Sequence, residues 1–95
     1  MAGIIWSKEA RQDLDNIFLW LENESKSYSR RWINEVFKKV DLLEKFPDMG
    51  RQIPETRIES IREIRAGNYR VIYNARKNGM EILAIRHSSR PLSEY

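Results

Sequence analysis

From Arg62 onward the hydrophobic period of the chain changes from that of a helix to that of a strand, and this change dictates two kinds of layer. Before it, Ala10, Leu14, Ile17, Phe18 and Leu21 recur at helical spacing, and Ile33, Val36, Phe37, Val40 and Leu43 repeat the pattern. After it, residues 62–66, 69–76 and 80–87 are enriched in Ile, Val and Tyr, separated by Gly67-Asn68 and by Lys77-Asn78-Gly79. Glycine tolerates positive φ at the first position of a two-residue hairpin turn, and Asn-Gly marks the second hairpin. The segment therefore predicts a three-stranded meander. Two helices with one apolar stripe each need a surface to cover, and a sheet provides it.

The remaining punctuation fixes the order. Gly3-Ile4-Ile5-Trp6 reads as a first strand able to extend the sheet. Ser7 is a helix N-cap, with Glu9 in the first turn where its charge suits the helix dipole. Leu19 lies opposite the first buried stripe and Trp20 on its flank, so this helix exposes apolar surface. Ser27 or Ser29 can cap a second helix beginning near residues 28–31. Pro47 disfavours helix at Phe46 and ends it near Lys45. The short connection implies an antiparallel helical hairpin. Pro47-Asp48-Met49-Gly50 is a turn, and residues 51–61 read as a mostly extended loop. The prediction is one α+β domain over residues 1–95, in the order β-α-α-β-β-β, with a helical hairpin packed on a mainly antiparallel sheet.

Composition narrows the chemistry. With no cysteine and one histidine among 95 residues, neither a disulfide framework nor a thiolate metal site is possible. There is no glycine-rich phosphate loop, and the acidic residues lack metal-ligand spacing, so no cofactor is indicated. No apolar run is long enough for a signal peptide or a membrane span, which predicts a cytoplasmic protein. The net charge of +3 is unevenly spread. Residues 1–50 carry 8 Lys+Arg against 9 Asp+Glu, while residues 51–95 carry 9 against 5, and eight of those nine cations are arginines. Arginine suits bidentate contact with phosphate or carboxylate. The second half thus fits nucleic acid or an acidic protein segment, and equally an ordinary solvated basic surface.

The element order carries a specific set of residues. Ile5-Trp6-Ser7 is followed by Ala10 and by Asp13-Leu14-Asp15-Asn16-Ile17, and the turn reads Phe46-Pro47-Asp48-Met49-Gly50-Arg51. Arg62-Glu63-Ile64, Tyr69-Arg70-Val71-Ile72-Tyr73 and Ile82-Leu83-Ala84-Ile85-Arg86-His87 with Arg90 complete it. Over almost the whole chain this set resembles the RelE/ParE toxin superfamily, and the first helix and the turn are closer to ParE-like members. The resemblance implies the toxin of a type II toxin–antitoxin system, neutralised by direct binding of a cognate antitoxin, with operator DNA bound only through that antitoxin. ParE-like members poison DNA gyrase; RelE-like members cleave messenger RNA on the ribosome.

These two targets ask different things of the side chains. RNA cleavage without a metal needs a base for the ribose 2′-hydroxyl, an acid for the leaving oxygen and cations around the phosphate. The RelE-like pattern would draw the site from His87, Arg65, Arg86 and Arg90, with help from Tyr95. The strand lysines of that pattern are missing, since no lysine lies between Lys45 and Lys77. Alternatively His87 merely packs or hydrogen-bonds at the sheet rim, and the resemblance implies no choice here, since a histidine at this place is also seen in ParE-like members.

Strand alternation puts Arg70 on one face with Ile72, and Arg86 on one face with Ile82 and Ala84. Arg70 and Arg86 would then line an open basic concavity, or pair across strands with Glu63 and Glu81. Tyr69 and Tyr73 either stack on bases or fill the junction of helix and sheet, and Trp6 and Trp32 read as core. Leu19, Trp20, Arg62 and Arg70 are the candidates for binding the target or the antitoxin.

Overall fold

Ser7 both ends the first strand and starts the first helix. Its Oγ accepts the Ala10 N–H at 3.0 Å and donates to the Leu83 carbonyl at 2.9 Å, while its N–H donates to Ile82 at 3.0 Å. One residue thereby caps a helix and extends a strand pairing, so its loss costs more than the ~1 kcal/mol of an ordinary N-cap. In the computed structural model, which describes residues 3–77 and 79–89, seven elements follow in order. These are β1 (Gly3–Trp6), α1 (Lys8–Glu24), α2 (Lys26–Lys45), β2 (Arg51–Gln52), β3 (Ile61–Ala66), β4 (Tyr69–Arg76) and β5 (Gly79–His87). The sheet runs β1-β5-β4-β3-β2. β1 is parallel to β5 and every other pairing is antiparallel.

Ser25 alone separates the helices. Its N–H donates to the Leu21 carbonyl at the end of α1, and its Oγ accepts the Tyr28 N–H at the start of α2. The expected caps, Ser27 and Ser29, lie inside α2. The apolar stripe starts a turn later than the helix, so nothing in the pattern exposes that first turn. Ser29 is fully buried and its Oγ donates to the Lys26 carbonyl at 2.8 Å. The buried stripe of α2 is Trp32, Val36, Val40 and Leu43, with the Trp32 indole donating to the Ala66 carbonyl at 3.0 Å. Phe37, expected on the stripe, stays 45% exposed. It lies one helical step beside Val36 and packs its ring on Trp6, with centroids 5.8 Å apart.

The Pro47-Asp48-Met49-Gly50 turn is pinned by Tyr73 on β4. The buried Tyr73 hydroxyl donates to the Pro47 carbonyl and accepts the Gly50 N–H, both at 2.9 Å. Arg62 Nη1 holds the Gly50 carbonyl at 2.8 Å. A Cβ on Gly50 would lie 2.5 Å from that hydroxyl and 2.6 Å from the Glu63 carbonyl, so close approach requires glycine here. The turn sets Arg51 and Gln52 against Glu63 and Arg62, a short edge strand where an extended loop was expected. The chain then turns back, with Thr56 N–H to the Ile53 carbonyl and Ile58 N–H to Thr56 Oγ1.

The sheet has a core on each face. Against the helices lie Val71, Tyr73, Met80, Ile82 and Ile85; on the outer face Ile53, Ile61, Ile72 and Ala84 form a second cluster. The β4–β5 register slips between Ile72, paired with Ala84, and Tyr73, paired with Ile82. Leu83 is the extra residue of a β-bulge. Ile82 and Ala84 consequently belong to opposite faces, where simple alternation put them on one.

Candidate functional site

Arg70 and Arg86 do not line an open basic surface. Arg86 reaches past the end of the β1 pairing to α1, where its Nη1 meets Asp13 Oδ2 at 2.6 Å and its Nη2 meets Glu9. The same Asp13 oxygen accepts the Ile85 N–H at 2.9 Å. Arg86 therefore ties the helix to the last strand. The expected partner Glu81 takes Arg76 instead, at 3.4 Å. Arg70 is buried; it pairs with Glu63 at 3.2 Å, approaches Glu55 at 4.0 Å and donates to the Ser88 carbonyl at 3.2 Å. Glu63, only 4% exposed, also receives Arg51 Nε at 2.9 Å. A buried carboxylate between two guanidiniums is stable only while both remain. The cross-strand pairing with Glu63 is thus present, and the basic concavity is replaced by ion pairs and the outer apolar cluster.

Arg62 is occupied with the turn, bonding the Gly50 carbonyl and lying 3.7 Å from Asp48. Arg65 stands exposed near the end of β3, opposite Arg70 in register. His87 ends β5, exposed, with its ring edge-on to Tyr69 at 5.2 Å. Its Nδ1 accepts the Ser89 N–H at 3.2 Å and lies 2.8 Å from Ser89 Oγ. Tyr69 in turn meets Trp32 edge-on at 5.5 Å, and burial pushes its phenol above the usual tyrosine value. Tyr73, fully buried, cannot stack on a base. Arg65, Arg70 and His87 share one end of the sheet, while Arg86 is drawn away to α1. Arg90 and Tyr95 lie outside the described residues. Among the described residues no cluster of His, Cys, Asp or Glu could hold a metal, and no helix is long and apolar enough to cross a membrane.

Several large apolar side chains face solvent on the helical side. Leu19 and Trp20 are 58% and 62% exposed on α1, as the stripe predicts. A groove of about 470 Å³ is lined by Ile4, Ile5 and Trp6 of β1, Arg11, Leu14 and Asp15 of α1, and Phe37 of α2. Among the described residues β1 has a strand only on its β5 side, so the outer edge of the groove is open backbone. Sequence reasoning missed Ile5 and Phe37 as surface residues. Alternation could have flagged Ile5, whereas the edge position of β1 depends on a pairing 76 residues away.

The sequence pattern of the family described as "ParE toxin of type II toxin-antitoxin system, parDE" matches residues 4–92. The fold is similar to a solved structure described as the "Chromosomal ParDE TA system from P. aeruginosa", with a TM-score of 0.71 and 17% identity. That match covers 92% of this chain and 96% of the other. No curated protein matches the chain. The matched span includes both helices, all five strands but for Gly3, and the grooved face of β1 and α1, and the chain belongs to the ParE toxin family of type II toxin–antitoxin systems.

Proposed function

We propose that this protein is the toxin of a type II pair that inhibits DNA gyrase without chemistry of its own, and is neutralised by direct docking of an antitoxin protein. The observation that carries the proposal is the engagement of the cations. Arg86 is bound to Glu9 and Asp13, and Arg70 to Glu63, so two of the cations a ribonuclease would aim at a phosphate already hold carboxylates. His87 has Ser89 and Tyr69 as neighbours, and a lone imidazole lacks the paired acid and base that strand cleavage needs. Inhibition by binding demands only a stable, shaped surface.

The antitoxin is expected on the helical side. Leu19, Trp20, Ile5 and Phe37 are large apolar side chains left in water, and exposed patches of this kind mark interaction sites. An amphipathic segment laid along α1 and into the β1 groove would bury them. Operator DNA would be bound through the antitoxin, and the site of action is the cytoplasm.

The test is a gyrase supercoiling and DNA-cleavage assay with antitoxin-free protein, run beside a translating extract probed for cut messenger RNA. Accumulated cleaved DNA with intact RNA is the expected result. Codon-positioned RNA cuts with no effect on gyrase would overturn it in favour of a RelE-like nuclease centred on His87 and Arg65.

A further inference from the structure

The two edges of the sheet are built differently. β2, at one edge, is two residues long and presents a charge at Arg51. β1, at the other, reads Gly3-Ile4-Ile5-Trp6 and carries neither a charge nor a proline, the residues that ordinarily keep an edge strand from pairing with another chain. Backbone groups alternate in direction along a strand, and the Ser7 N–H goes to the Ile82 carbonyl of β5. The N–H and C=O of Ile4 and Trp6 therefore point away from β5, toward the open edge.

Apolar side chains flank this edge on both faces of the sheet. Ile4 and Trp6 pack on the helical core, so Ile5, 63% exposed, stands on the outer face. Phe37 lies against Trp6 on the helical face. The groove at this edge is rimmed by Arg11 and Asp15 of α1. Both are exposed and, among the described residues, neither has an ion partner. They stand four residues apart with the cation first, the less favourable order for a pair within one helix.

We propose that this edge pairs with that of a second copy of the chain, β1 antiparallel to β1 about a two-fold axis at Ile5. Ile4 of each copy then faces Trp6 of the partner subunit, and each such pair exchanges both N–H···O bonds. The two Ile5 side chains meet across the axis, about 4.5–5.5 Å apart at Cβ. A two-fold contact is self-complementary, since a residue that touches another is touched by its counterpart in return. Arg11 of one copy thus meets Asp15 of the partner subunit, and Asp15 meets Arg11. A partner of one charge sign would satisfy only one of these side chains, whereas a second copy satisfies both. A stable interface buries about 800 Å² on each partner, about an eighth of the 6428 Å² surface of this chain. One short edge and one helix face fall short of that area, so the dimer forms at a concentration on the order of 10 µM. Self-association of the free chain is independent of the toxin reading.

The experiment is sedimentation equilibrium of the untagged, antitoxin-free chain from about 1 to about 200 µM, where a monomer–dimer equilibrium is expected. Arg11→Asp and Asp15→Arg each turn both reciprocal contacts repulsive, and each should weaken association about tenfold or more. Mixed in equal amounts, the two variants should recover association to within about threefold of the parent, because each supplies the charge that the other has lost. Ile5→Lys sets like charges opposite each other and should abolish the dimer. Leu42→Glu, at an exposed site on the β3 flank of α2, should leave it unchanged. Thermal melts within about 3 °C of the parent show that each variant is folded.

A chain that stays monomeric to about 200 µM overturns the proposal. So does a dimer that Ile5→Lys leaves intact, or one that Leu42→Glu weakens equally. Charge variants that dissociate singly and fail to re-associate when mixed overturn it as well, because the reciprocal contact of Arg11 and Asp15 is then absent.

Discussion

Replacing Tyr73 by Phe removes one oxygen and strands two backbone groups. The hydroxyl now donates to the Pro47 carbonyl and accepts the Gly50 N–H, and the side chain is fully buried. Each such hydrogen bond contributes about 1 kcal/mol net, and a buried N–H left without a partner adds its desolvation penalty, so the expected loss is about 2–3 kcal/mol. In a domain of this size that corresponds to a melting-temperature drop of about 10–20 °C. Urea denaturation followed by far-UV circular dichroism measures it directly. Gly50→Ala supplies the second leg, since its Cβ would sit 2.5 Å from the same hydroxyl and 2.6 Å from the Glu63 carbonyl. In the Tyr73→Phe background the clash with the hydroxyl is gone while those with the Glu63 carbonyl and, at 2.8 Å, with the ring Cε1 remain, so the two substitutions should couple by about 1 kcal/mol in a double-mutant cycle. A loss below about 0.5 kcal/mol for Tyr73→Phe, or strict additivity with Gly50→Ala, would refute the claim that this hydroxyl holds the turn.

Burial pushes the Tyr73 phenol above its ordinary 10.0, against the opposing influence of the Gly50 N–H and Arg62. Above pH 10 the unfolded tyrosine gives up its proton before the folded one, so stability is flat below that pH and falls as pH rises through the folded value; alkaline unfolding curves should show Tyr73→Phe with a shallower fall, Tyr69 contributing the remainder. Arg70→Met should cost about 3 kcal/mol by leaving buried Glu63 with one guanidinium, and adding Glu63→Leu should recover most of that loss in urea titrations. Asp13→Ala removes the acceptor of both Arg86 and the Ile85 N–H, and should cost about 2 kcal/mol and raise hydrogen exchange at Ile85. His87→Ala should leave growth inhibition within about twofold of the parent in a plating assay, because the proposed inhibition requires no proton transfer.

Much of this fold was visible in local chemistry. Ser7, the α1 stripe and the three long strands could be placed because each depends on residues within a few positions of one another. The start of α2 was hidden because Ser25, Ser27 and Ser29 are equally good caps by type, and only packing puts Ser29 inside. β2 is two residues long and exists because a turn is pinned from β4. The bulge at Leu83 is a property of two strands together, so alternation along β5 alone misplaced Ile82 relative to Ala84. The exposed pair Leu19 and Trp20 followed directly from the helical period. The arginines did not: Glu63 lies within reach of Arg70 across one hairpin, whereas the partners of Arg86 are 73 and 77 residues away. Charge type told what could be bound, and topology decided that carboxylates of the protein itself bind it.

The pairing of the first strand with the last has a consequence for how the molecule comes into being. Gly3 to Trp6 find their partners at residues 79–82, so the order of synthesis is the reverse of what that pair needs. The helical hairpin can form early from local contacts, but α1 rests on β5, and Asp13 awaits Ile85 and Arg86. Until the final strand emerges, the nascent chain holds two amphipathic helices with part of their apolar faces uncovered, a state prone to aggregation or chaperone capture. Pairing of such high sequence separation is slow to close. The groove between β1 and α2 therefore comes into existence last, and a partner that recognises it discriminates a finished molecule from an unfinished one.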